Sequence, residues 1–124
     1  MNTEDVTNIG LTEETHKMLQ KMKKDGIFSE MLDGYRFGVA FAIARGLIAS
    51  ENLKIDTFLS VSSLDKDGSL RNLIQELFPE SADKPYAFAQ RLAEAGLVEL
   101  GHRYEYEQLH FTEIFKLVAE GSKI

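Results

Sequence analysis

The chain has 124 residues, of which 44% are hydrophobic and 27% charged, with 14 Lys/Arg against 20 Asp/Glu and no cysteine. A single domain of this size buries roughly two-thirds of the surface its unfolded chain exposes, so a core forms without disulfides, and thiolate metal sites and thiol nucleophiles are excluded. The net charge of −6 is unevenly placed: residues 1–50 carry six basic and seven acidic side chains and residues 51–124 carry eight and thirteen, so the second part, near −5, repels a phosphate backbone.

Met1–Asp5 is polar and acidic and lacks the basic start and apolar stretch of a secretory leader. A reducing cytoplasm is the expected location. Val6–Leu11 reads as a short extended segment, with Ile9 and Leu11 on one side and Asn8 and Gly10 on the other. Thr12 is placed to cap a first helix. Glu13 and Glu14 fall in its first turn and Lys21, Lys23 and Lys24 in its last, which suits the helix dipole at both ends. Thr15, Met18, Leu19 and Met22 form its apolar face, and Gly26 is the natural stop.

A second helix is expected from a Ser29 cap to about Ser50. Within it Gly34, Gly38, Ala42 and Gly46 recur every four residues, and positions four apart share a helix face, drifting by about 40° per step. This stripe of small residues forms a shallow groove. Phe37, Val39, Ala40, Phe41, Ile43, Ala44, Leu47 and Ile48 make the rest apolar nearly all round, which requires a central place in the fold or a second copy of the chain. The run Phe37–Ala44, ended by Arg45, falls far short of the roughly 20 residues that cross a bilayer, so no membrane partner is expected.

Beyond the polar break at 51–54, alternation through Ile55, Thr57, Leu59 and Val61 allows a short strand. Asp65-Lys66-Asp67-Gly68 is a turn, and Ser69 is expected to cap a third helix with Leu70, Leu73, Ile74, Leu77 and Phe78 on one face before Pro79 ends it. Pro85 opens a fourth helix, which Gly96 either caps or lets pass. A last helix is expected near Thr112–Glu120.

Little of this carries catalytic chemistry. The Asp65–Gly68 turn has the wrong register for a calcium loop: with Gly68 sixth, the twelfth position is Ile74, where a bidentate Glu is needed. His16, His102 and His110 lack the i, i+4 pairing of a helical zinc site. His110 and Glu113 can meet on a helix face, and such a contact is ordinarily structural. Ser60, Ser62 and Ser63 lie in no nucleophile elbow, and no P-loop or dinucleotide fingerprint is present. No enzyme activity, catalytic residue, metal or cofactor is expected.

Two stretches resemble known arrangements. Leu92–Leu100, "LAEAGLVEL", with Gly101–Glu107 resembles the end of a winged-helix domain entering its wing, although a packed core helix accounts for the same residues. The sequence "VTNIGL", then "TEETHKMLQKMKKDG", then "SEMLDGYRFGVAFAIARGL" resembles the strand, helix, helix order of ribbon-helix-helix proteins and, in outline, the small DndE-type accessory proteins of DNA phosphorothioation systems. The resemblance implies two chains that pair their strands and interlock their second helices. It implies base reading from the strand, where only Asn8 has a suitable side chain, and phosphate contact at the second helix, where Glu30 and Asp33 oppose it.

The expected protein is a mostly α single domain of residues 1–124 with about five helices and one or two short strands. Residues 1–50 form its ribbon-helix-helix-like oligomerisation part and 51–124 its acidic helical part. The long apolar second helix is expected at a homo-oligomer interface made by Gly34, Phe37, Gly38, Phe41, Ala42, Arg45 and Gly46. The expected function is that of a non-enzymatic, self-associating accessory or regulatory protein, a dimer or higher, acting on a further protein partner. The alternative is a nucleic-acid-binding regulator using Asn8, Lys21, Lys23, Lys24 and Arg36, which the acidity disfavours.

Overall fold

The computed structural model describes residues 4–51 and 53–106, and the expected last helix, Thr112–Glu120, lies outside them. In chain order the elements are strand β1 (Asn8–Leu11), helices α1 (Glu13–Lys24) and α2 (Met31–Arg45), strand β2 (Asp56–Ser60), the single turn α3 (Val61–Leu64), helix α4 (Ser69–Leu77), a 3-10 turn (Pro79–Ser81) and helix α5 (Pro85–Tyr106). The fold is mostly α, with five α-helices and one two-stranded sheet among the described residues.

The centre of the fold is the crossing of α2 and α5. Gly38 and Gly96 meet there: a Cβ on Gly96 would stand 2.0 Å from the Gly38 carbonyl oxygen, and one on Gly38 would stand 2.6 Å from Leu97 Cγ. Gly96 therefore neither caps nor breaks its helix. It lets two backbones approach more closely than any side chain permits. Around the crossing, Phe41, Ala42, Leu92, Ala93 and Leu97 are buried. On the other flank of α2, the space beside Gly34 is filled by Leu19 and Phe28, whose atoms would lie 2.4 and 2.9 Å from an added Cβ. An apolar helix needs partners on every side, and α2 finds most of them within its own chain.

α2 is shorter than its apolar pattern suggests. Gly46 adopts φ +63°. Its N–H donates to the Ile43 carbonyl and the N–H of Leu47 to that of Ala42, a Schellman closure that stops the helix at Arg45. The expected run to Ser50 is thus corrected, and Gly46 leaves the stripe of small residues. The start also shifts: Glu30 occupies the cap position, and the Ser29 hydroxyl reaches Asp33 instead.

β1 and β2 pair antiparallel, with an irregularity between Ile9 and Gly10. Gly10 is buried along with Ile9 and Leu11, although the alternation put it on the opposite side: a Cβ there would collide with the Asp56 carbonyl oxygen, only 1.8 Å away. Phe58 is half-buried and stacks on His16 with ring centres 3.8 Å apart. The other edge of β1 is closed by α5. The Gly10 N–H donates to Gln90 Oε1 at 2.9 Å and the Thr12 N–H to Glu94 Oε1 at 2.9 Å.

Two aspartates close helix N-termini from outside the helix. Asp5 accepts from the N–H groups of Tyr86 and Ala87 at 2.6 and 2.9 Å, tying the start of the described chain to α5. Asp65 accepts from those of Leu70 and Arg71 at 2.9 and 3.0 Å. The expected cap Ser69 is instead the first helical residue, preceded by Gly68 at φ +75°. Orphan N–H groups in the first turn need acceptors, and a carboxylate also suits the positive end of the helix. α5 continues as helix through residues 101–106, where the winged-helix resemblance implies a wing.

Candidate interaction site

The most elaborate polar cluster is buried rather than open. Glu94, 3% exposed, accepts from the Thr12 N–H and hydroxyl and, at 2.6 Å, from the Thr15 hydroxyl. Tyr35 lies nearby and donates its hydroxyl to the Gly10 carbonyl at 3.0 Å. Burial and the neighbouring Glu94 carboxylate push the phenol well above its ordinary range. The carboxylate has no counter-cation among these contacts. The cluster fastens β1 and the start of α1 to α2 and α5. Thr12 stands at the expected cap position, but its hydroxyl faces Glu94 and makes no cap bond to its own helix.

A groove of about 600 Å³ lies open between α2 and α4. Both helices pack on α5 but hardly touch each other. Val39 and Leu64, both buried, form its floor. Ala40 and Ile43 line one wall, and Leu70 and Leu73 the other. Arg36, Asp65, Lys66, Asp67 and Ser69 stand at the mouth. α4 buries only Ile74 fully and leaves Leu73 and Leu77, one turn apart, 46% and 48% exposed.

Most charges at the mouth are already engaged. Arg36 donates from Nε to the Leu64 carbonyl at 2.9 Å and from Nη2 to the Ser63 carbonyl at 3.1 Å, closing the C-terminus of α3, and lies 3.6 Å from Asp33. Burial opposes ionisation of Asp65, but hydrogen bonds from the Tyr86 hydroxyl at 2.7 Å and from two backbone N–H groups outweigh it and hold the carboxyl below its ordinary value. Burial and this same contact push the Tyr86 phenol up to about 12. Asp67 is also lowered, chiefly by the Ser69 N–H. Lys66 and Glu76 are exposed and make no ion pair with the described residues.

The residues expected at an oligomer interface divide between core and surface. Gly34, Phe37, Gly38, Phe41 and Ala42 are buried within the single chain, because α1, Phe28 and α5 occupy the faces they line. Arg45 and Gly46 are exposed at the end of α2. Of the exposed residues of α2, Ala40 lies in the groove wall and Arg36 at its mouth. The sequence signal for this site was Leu73, which lines the groove, with Leu77 exposed one turn beyond it; the single-face reading of α4 assigned both to the core.

The residues named for nucleic acid are not gathered on one face. Asn8 stands before α1, whereas Lys21, Lys23 and Lys24 are exposed at its far end, and twelve helical residues span roughly 18 Å. The Lys21 ammonium sits 5.8 Å over the Tyr104 ring. Arg36 lies on α2, held by the carbonyls of α3. The strand that the ribbon-helix-helix resemblance pairs with a second chain is here paired with β2, and its other edge is covered by Gln90 and Glu94.

Among the described residues no group of three His, Asp or Glu side chains is placed to hold a metal ion, and no helix is long and apolar enough to cross a membrane. Comparison with protein families, characterised proteins and solved structures finds no match for this chain.

Proposed function

We propose that this protein acts by protein–protein contact rather than by catalysis, as an accessory or regulatory subunit, and that the α2–α4 groove is its contact face. The observation that carries this reading is the exposed pair Leu73 and Leu77 beside an apolar groove with a charged mouth. An apolar centre rimmed by polar groups, offered between two helices, is the geometry that receives an amphipathic helix. Against catalysis stands the engagement of the polar groups. Glu94 is enclosed by its donors, and Asp65 and Arg36 are committed to backbone groups.

A photo-crosslinking residue at position 40, in the groove wall, tests this in cells, with one at the exposed Gln20 on α1 as the control position. The reading expects a defined polypeptide adduct from position 40, absent from position 20 and lost on Leu73→Glu. No adduct at position 40, or one indifferent to Leu73→Glu, refutes it.

A further inference from the structure

The groove presents one wall, α4, that is itself a helix with an exposed apolar stripe. Leu73 and Leu77 point away from the core, and Asn72 and Glu76 are exposed beside them, also one turn apart. The molecule thus carries both a groove for an amphipathic helix and a helix of that kind. A surface holding both halves of a contact can pair with itself about a two-fold axis, since such an axis presents the same patch from both sides.

One pair of exposed charges, Lys66 and Glu76, favours the same arrangement. Lys66 precedes α4 and Glu76 lies near its end. The seven helical steps from Ser69 to Glu76 already separate the two ends by roughly 10 Å along the axis. Neither side chain has an ion-pair partner among the described residues. When two copies of α4 run antiparallel, the start of one lies beside the end of the other. Lys66 of each copy then faces Glu76 of the other, so one operation brings together both pairs of opposite charges.

We propose that a second copy of this chain fills the α2–α4 groove, its α4 antiparallel to the first, with Leu73 and Leu77 interleaved and Lys66 of each copy facing Glu76 of the other. The inference rests on the reading of the groove as a protein-contact face and names its occupant. A contact made by one helix face and one groove belongs among weak and reversible associations rather than obligate ones.

Sedimentation equilibrium of the full chain, from low micromolar to about 500 µM, tests it. Wild-type protein is expected to pass from 14.0 kDa monomer to dimer over this range. Lys66→Glu alone and Glu76→Lys alone each place like charges at both contacts and are expected to weaken the dimer about tenfold. Mixing the two variants restores opposite charges at both contacts, and a heterodimer of nearly wild-type affinity is expected. All these positions are exposed, and circular dichroism of each variant checks that the fold is kept. A wild-type chain that stays monomeric throughout overturns the proposal, as does a dimer indifferent to both reversals and to Leu73→Glu. If the chain is monomeric while position 40 crosslinks a different polypeptide, the second-copy proposal fails and the contact-face reading stands. If no adduct forms either, both fail.

Discussion

Replacing Gly96 with Ala tests the α2–α5 crossing with a single methyl group. In an isolated helix the change is favourable, because alanine exceeds glycine by about 1 kcal/mol in helix propensity. The structure reverses the sign. The new Cβ would stand 2.0 Å from the Gly38 carbonyl oxygen and 2.8 Å from its carbonyl carbon. Both are backbone atoms that no rotamer change can withdraw, so the helices must separate by on the order of 1 Å. That loosens the packing of Leu92, Ala93 and Leu97 against α2, and attraction between packed atoms falls by a quarter to a half over such a gap. Overpacking of a tight core ordinarily costs about 1–3 kcal/mol, and a backbone collision belongs at the upper end or beyond. A net loss of about 2 kcal/mol is expected after the propensity gain, lowering the melting temperature by on the order of 10 °C for a domain of this size. Gly38→Ala should be milder, because its nearest obstacle is the Leu97 side chain at 2.6 Å. Urea denaturation followed by circular dichroism measures both variants. If Gly96→Ala matches or exceeds wild type in stability, the helices do not approach as described and the argument fails.

Three further outcomes are expected. Glu94→Ala strands the Thr12 N–H and the hydroxyls of Thr12 and Thr15, at a cost of about 3 kcal/mol in urea denaturation; a loss below 1 kcal/mol would mean that these groups find other acceptors. The Asp65 carboxyl is held below its ordinary value of 3.8 in the folded state, so its stabilisation is present above that value and is lost as pH falls through the folded value. Acid titration of stability should therefore show a component below about pH 4 that Asp65→Asn reduces, and an unchanged acid limb would refute this role for Asp65. Binding to mixed duplex DNA, intact or nicked, should be weaker than the roughly 10⁻⁴–10⁻⁶ M of ordinary non-specific binders at physiological salt. Fluorescence anisotropy checks this, and submicromolar binding lost on Asn8→Ala or Lys24→Glu would favour a nucleic-acid regulator.

What local chemistry dictates was legible in the sequence. The helix dipole is complemented in α1 by Glu13 and Glu14 at one end and Lys21, Lys23 and Lys24 at the other. The proline at the start of α5, the turn at Asp65–Gly68 and the mostly α class follow from residue types over a few positions. The apolar circumference of α2 announced a helix surrounded by partners, without saying whose.

Tertiary structure decided the rest, since identical local patterns have different outcomes depending on what lies opposite. Gly38, Ala42 and Gly46 follow one spacing, yet the first meets α5, the second is buried and the third ends the helix at positive φ. Gly96 stays inside its helix, and what its missing side chain permits is the close approach of Gly38 across from it. Asp5 and Asp65 serve helices that begin 80 and 4 residues later, an assignment no local window contains for Asp5. Leu73 and Leu77 share the apolar stripe of α4 with Ile74, but only Ile74 reaches the core, and Leu73 faces the groove left open between α2 and α4. Periodicity establishes that a face is apolar; which part of that face is covered depends on the distance to the next element.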